Sequence, residues 1–445
     1  MTMLKRHRTV FLLAALVLVG AALRLVGLGG QGFWRDEAQG LFLAQKAFPV
    51  GIVQALSQDG HPPLYYFAMH FWMLVFGRGE LAVQLFSALC GIAAIPAVWL
   101  LARHLYEDER LALLAAGCAA LLPLHVSVSR SARMYALVAL LSTLALYLAY
   151  EAVLRGGLWR HIGLGLVSIA LMYSHNWGVL VPAALNAWWV VMLLVHPPAR
   201  RTWKRWVATQ AVIGLCYLPW LPVLQAQRSA LVVASTWAKV GSRLDNLVRL
   251  MDELTGLFLA DRRPYFWLFF SALGLLVIRF RRDEASVGLP LEPATLLVAC
   301  GFALPPVLGL IVTPKSVGII PNYVTIVAYP ALCLVLARGV LALRRRWAMA
   351  LGVLVILFLW RGALLGAAGG RISNLREVAA YVEQRAGPSD VIIISPDYLA
   401  TPFNWYYRGP QAQVAFPEDP GRTEEIIWAH YNERWADAAR QIEPT

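Results

Sequence analysis

The sequence predicts an α-helical, polytopic membrane protein. Two features carry that expectation: 59% of the 445 residues are hydrophobic and only 15% charged, and long apolar runs recur along most of the chain. Mean hydropathy is +0.59. A soluble domain is about half apolar and about a quarter charged, so a water-soluble enzyme, a disordered chain and a secreted disulfide scaffold are all excluded.

The first run, 10–28, follows Lys5, Arg6 and Arg8 and is too long for a signal-peptide core; no small-residue cleavage site follows, so an uncleaved first helix is expected. Further spans are expected near 81–102, 111–129, 134–154, 161–176, 177–195, 206–224, 264–280, 294–312, 322–337 and 347–366, giving eleven helices within a range of 11–13. The stretch 64–76, after His61-Pro62-Pro63, is short and aromatic-rich. It is either a short span or an interfacial segment.

Charge discriminates between these. With 64–76 lying on the interface, Lys5/Arg6/Arg8, Arg103/Arg110, Arg155/Arg160, Arg200/Arg201/Lys204/Arg205, Arg279/Arg281/Arg282 and Arg338/Arg344/Arg345/Arg346 share one side, eighteen basic residues in all. A crossing there would move fifteen of them outside. The positive-inside rule therefore favours a cytoplasmic N-terminus and an external C-terminus. This also accounts for the net charge of +13 without a nucleic-acid partner, for which no reading module is present. The five cysteines lie in apolar runs without metal-like spacing and read as small hydrophobes.

In this topology the loop 29–63, the segment 125–135, the turns 173–178 and 313–321, the loop 225–263 and the tail 370–445 share the outer face. The chain divides into a transmembrane part, 1–369, and an external part, 370–445. Within the tail, Asn374 to Arg385 has helical spacing, Gly387-Pro388 breaks it, and Val391 to Ile394 is β-like, indicating a small α/β appendage.

The chemistry-bearing residues fall in those outer segments. Asp36 and Glu37, after Arg35, are either a solvated helix N-terminus or a general base and its neighbour. His61 is fixed in place by two prolines, either as a structural imidazole or as a substrate contact beside Tyr65. Arg130 and Arg133, ahead of Tyr135, suit a phosphate as well as lipid headgroups. Arg24 belongs to either role. His175, in Tyr173-Ser174-His175-Asn176-Trp177, marks a polar break that also suits an interface anchor, and Lys315 is either an anchor or a phosphate contact. No metal set is evident; the first-loop carboxylates leave room for a divalent cation without requiring one.

The ordered set Phe33-Trp34-Arg35-Asp36-Glu37-Ala38, His61-Pro62-Pro63-Leu64-Tyr65-Tyr66, Ser129-Arg130-Ser131-Ala132-Arg133-Met134-Tyr135 and Asn374-Leu375-Arg376-Glu377 resembles bacterial family 39-like glycosyltransferases. These belong to the protein O-mannosyltransferase and aminoarabinose transferase superfamily, of the C-type membrane fold. The resemblance runs over roughly residues 10–410. It implies a polyprenyl-phosphate-sugar donor, a lipid, glycan or protein acceptor, and an inverting transfer on the extracytoplasmic face of a bacterial cytoplasmic membrane. It further implies Asp36 as base, Glu37 as its partner and His61 in the first-loop cavity. Relatives carry an Arg-Tyr pair after a late proline, where this chain has Pro321-Asn322-Tyr323. Asn322 brings no charge, so Lys315 substitutes or the contact is absent. Two other readings stand beside this one: a flippase or transporter of lipid-linked sugars, and an inactive relative acting as a binding scaffold.

Overall fold

The computed structural model describes residues 3–57, 59–234, 277–280, 285–288, 292–312, 321–342 and 373–416, with isolated positions between 350 and 364. Helix α1 (Met3–Leu25) leads through a turn to α2 (Arg35–Ala44), α3 (Val50–Leu56) and α4 (Leu64–Phe76). Then come α5 (Glu80–Tyr106), α6 (Glu109–Leu121), α7 (Pro123–Ser129), α8 (Tyr135–Leu154), α9 (Leu158–Ser174), α10 (Leu180–Val195), α11 (Trp203–Tyr217) and α12 (Leu221–Ala234). Strands β1 (Val277–Phe280) and β2 (Ala285–Gly288) form an antiparallel hairpin, followed by α13 (Pro293–Val312) and α14 (Pro321–Leu341). The chain continues with α15 (Leu375–Arg385), β3 (Val391–Ile394), α16 (Ala400–Tyr406) and β4 (Ala412–Ala415).

Six helical stretches among the described residues are long and apolar enough to cross a membrane, seven if the bent pair α6 and α7 counts as one. Two more expected spans coincide with shorter helices: α9, of 17 residues, and the apolar part of α14, Ile326–Leu341. The run 347–366 and most of 264–280 lie outside the described residues. The end of the latter differs from expectation: Val277–Phe280 is strand, not helix. β-branched Val277 and Ile278 suit a strand. The single span expected at 111–129 is instead two helices at 54°, broken at Leu122-Pro123.

Helix α4 has 13 residues, about 20 Å long, well short of a hydrocarbon core. Its Tyr65, Tyr66, Met69 and Met73 are buried, whereas Phe71, Leu74, Val75 and Phe76 are exposed, the pattern of a helix resting one apolar side in lipid. The core lies between α5, α6, α8 and α14, where Ala112, Ala115, Ala116, Ala119, Ala139, Ala145, Ala331 and Ala337 let backbones approach closely.

Residues 375–415 form a βαβ arrangement, with β3 and β4 parallel and α16 between them. Ala379, Ile394, Ala400, Phe403 and Tyr407 make its small separate core. This unit rests on the first loop. Gly32 has φ +71°, and a side chain there would collide with Ser373 O at 2.4 Å, so only glycine permits the contact.

Candidate active site

Two carboxylates open α2 but face different surroundings. Glu37 is fully buried; its Oε1 accepts from the Ala132 N–H (2.6 Å) and its Oε2 from the Trp34 N–H (3.2 Å). Burial pushes its carboxyl up to about 7, against the opposing pull of both N–H groups and of Arg133. Asp36 retains 17% side-chain exposure, and its Oδ1 lies 3.5 Å from Arg35 Nε. One carboxylate therefore ties the first loop to the 130–134 turn, and the other is left accessible.

Arg133 is the hub. Nη1 donates to Asp36 O (2.8 Å), Nη2 lies 3.3 Å from His61 Nε2, and its own carbonyl accepts from Ser87 Oγ (2.8 Å). The guanidinium also lies over the Tyr135 ring at 5.9 Å. His61 Nδ1 sits 3.4 Å from Asp59 Oδ2, which also accepts from Tyr66 OH at 3.1 Å. Burial opposes ionisation of Asp59, yet the hydrogen bond and charge of His61, then the charge of Arg133, hold its carboxyl below the usual range. The ring of His175 packs 5.3 Å from that of His61 and 5.9 Å from that of Tyr135. Burial, with His61 and Arg133 nearby, lowers His175 well below an ordinary histidine, so it is a neutral imidazole; its Nδ1 accepts from the Trp177 N–H (3.1 Å). Tyr65 is buried and packs edge-on against Phe86, behind this cluster.

The sequence-predicted residues Arg35, Asp36, Glu37, His61, Tyr65, Arg133, Tyr135 and His175 thus come together. Arg130 does not join them: its Nη1 donates to Leu23 O (3.1 Å), Arg24 O (3.2 Å) and Val26 O (2.8 Å), closing the end of α1. Arg24 takes neither role open to it, being fully buried on backbone carbonyls of α1 and α6. Lys315 lies outside the described residues, as do the side chains of Asn322 and Tyr323. Among the described residues no group of three His, Cys, Asp or Glu side chains gathers to hold a metal ion.

Several partners escape sequence reasoning. Gln227, on α12, donates to Leu56 O (2.8 Å) and His61 O (3.3 Å), while Asn176 donates to Gly60 O (2.9 Å) and to Gln227 Oε1 (3.2 Å). Neither has a local pattern to reveal it. Tyr398 stacks under Arg35 at 5.5 Å, so the C-terminal βαβ unit forms one edge of the site.

Residues 60–225, which carry His61, Arg133, Tyr135 and His175, match the family model of dolichyl-phosphate-mannose-protein mannosyltransferase. The fold superposes on ArnT from Cupriavidus metallidurans in the apo state with a TM-score of 0.62 at 16% identity, covering 94% of this chain and 87% of that one. The chain has the C-type membrane glycosyltransferase fold. ArnT bound to undecaprenyl phosphate gives a TM-score of 0.63 at 17% identity, covering 97% and 90%. The C-type fold is also that of the oligosaccharyltransferase AglB from Archaeoglobus fulgidus, in complex with an inhibitory peptide and a dolichol-phosphate: TM-score 0.53, 13% identity, 99% and 69% covered. No curated protein matches the chain by sequence.

Proposed function

We propose that this protein is a membrane glycosyltransferase that moves a sugar from a polyprenyl-phosphate donor to a lipid, glycan or protein acceptor, with inversion, on the extracytoplasmic face of a bacterial cytoplasmic membrane. The observation that carries the reading is the asymmetry of the carboxylate pair. Asp36 is accessible and Glu37 is locked to the 130–134 turn, with the Arg133 charge alongside. The structures of ArnT with undecaprenyl phosphate and of AglB with a dolichol-phosphate support the donor class.

In this reaction the Asp36 carboxylate takes the acceptor hydroxyl proton, and the acceptor oxygen bonds to the anomeric carbon. The bond from that carbon to the phosphate oxygen breaks, and the lipid phosphate departs with the electron pair. Arg133, with Lys315 as a further contact, stabilises the charge gathering on that phosphate. Neutral His175 and Tyr135 shape the wall beside it. Arg35, braced by Tyr398, holds the Asp36 carboxylate in place.

A transporter would draw on the break between α6 and α7, since broken helices commonly build substrate sites. Here the carbonyls at the break are already taken by Arg24 and by the Tyr329 hydroxyl. The test is turnover of undecaprenyl-phosphate-linked sugars by the purified protein in lipid nanodiscs. Asp36→Asn is expected to cut kcat by about a thousandfold while leaving thermal unfolding unchanged. Unchanged turnover in that variant would remove Asp36 as the base.

A further inference from the structure

Two arginines pointing in opposite directions join α1 to the α6 and α7 pair. Pro123 has no N–H to give Ala119, four residues back, and its ring forces that carbonyl aside, hence the 54° bend. Ala119 O accepts instead from Arg24 Nη2 (3.2 Å) and Tyr329 OH (3.0 Å), and Ala120 O from Arg24 Nη1 (3.0 Å). Arg24 Nε donates to Ser129 Oγ (3.3 Å), and Nη2 lies 2.9 Å from His125 Nδ1. Arg130, the first residue beyond α7, reaches back to the three carbonyls at the end of α1. Both arginines are buried, and α5 makes room with Gly91, whose Cβ would fall 2.7 Å from that of Ser129.

We propose that Arg24 and Arg130 form a reciprocal clasp that sets the spacing between the segment bearing Asp36 and the turn bearing Arg133, making both arginines positioning residues. The end of α1 leads through the short segment 26–34 to α2, and the end of α7 directly to the turn holding Ala132 and Arg133. The links Glu37 to Ala132 N–H and Arg133 to Asp36 O close only if those two ends keep a fixed separation. Inside a bilayer the freed carbonyls have no water to turn to, so each helix end depends on the other's arginine. The inference reassigns Arg130 from phosphate ligand to scaffold. Its kinetic arm rests on the proposed glycosyl transfer, and its exchange arm does not.

The test is amide hydrogen exchange by mass spectrometry on the full chain in nanodiscs, with Tm and steady-state kinetics on undecaprenyl-phosphate-linked sugar. Arg130→Gln is expected to speed exchange about tenfold in peptides covering 23–30 and 130–134, leaving 293–312 and 375–385 unchanged. kcat is expected to fall about a hundredfold with KM within about twofold. Arg24→Gln is expected to lower Tm as well. Adding Pro123→Ala, which returns an N–H to Ala119, restores Tm but not slow exchange at 130–134. Unchanged local exchange in Arg130→Gln overturns the clasp. So does a rise in KM alone, which returns Arg130 to the phosphate, or recovery of kcat together with Tm in the double variant, which reduces Arg24 to a stabiliser. A wild-type protein without turnover refutes the proposed function while the exchange result still decides the clasp.

Discussion

At the scale of single residues, Glu37 gives the sharpest consequence. Its carboxyl, pushed up to about 7 by burial, holds its proton in the folded chain where an unfolded chain has already lost it. Between about pH 4.5 and pH 7 the native state therefore binds more protons than the unfolded one, and stability falls as pH rises through that window, by about 3 kcal/mol in all. Above it the curve flattens. Thermal unfolding in detergent from pH 4.5 to 8 is expected to show Tm declining across this range, and Glu37→Gln to remove most of the slope. The same substitution cannot satisfy both N–H groups, since the amide offers one acceptor oxygen, so it also costs about 1 kcal/mol at low pH. The pair Asp36-Glu37 was legible in the sequence as a catalytic candidate. Which of the two stays accessible was not, because that depends on Ala132 being brought 95 positions across the chain to cover Glu37.

At the scale of elements, hydropathy found the long helices among the described residues to within a few residues, because lipid makes length and apolarity compulsory. They read 111–129 as one span because an apolar proline does not interrupt a hydropathy profile, although it removes the N–H that a continuing helix needs. The other end of that pair follows ordinary capping rules. Asp108 Oδ1 accepts from the N–H groups of Arg110 (2.8 Å) and Leu111 (3.2 Å), satisfying donors that the first turn of α6 leaves open. Asp108→Ala is expected to destabilise the protein by about 1 kcal/mol, read as an earlier midpoint in SDS-induced unfolding, whereas Asp108→Asn or Ser is expected to keep most of that stability. A midpoint unmoved by Asp108→Ala would show that tertiary packing alone fixes where α6 begins.

At the scale of the whole molecule, the C-terminal βαβ unit grips the first loop on both sides of Asp36. Ser373 N–H donates to Gln31 O (3.1 Å), Arg376 Nη2 to Gly29 O (3.0 Å), and Tyr406 OH accepts from the Phe33 N–H (2.9 Å). Arg376 forks onto Glu80 at the head of α5, with Nε to Oε1 at 2.9 Å. Phe33 packs edge-on against Trp405 and stacks on Tyr406, and Phe42 meets Trp405 edge-on from inside α2. The helix Leu375–Arg385 and the strand Val391–Ile394 were legible in the tail's own periodicity, but the docking was not, since these partners lie about 300 to 370 positions apart. The side chain of Glu80 is only 7% exposed, so removing Arg376 leaves its carboxylate with the Tyr406 hydroxyl as donor and little water in reach. Arg376→Ala is thus expected to cost about 1–3 kcal/mol and to loosen the C-terminal unit before the long apolar helices. Limited proteolysis in nanodiscs should then cut near residue 373 in the variant and not in the wild type. Because the unit brings Tyr398 to Arg35, the loosened protein should also lose turnover through kcat, not through lipid-donor KM. The compensating variant Glu80→Gln/Arg376→Ala, which removes the stranded charge, should resist the protease better than Arg376→Ala alone. If it were cut equally fast, the aromatic contacts at Phe33 and Phe42, not the ion pair, would be what keeps the unit docked.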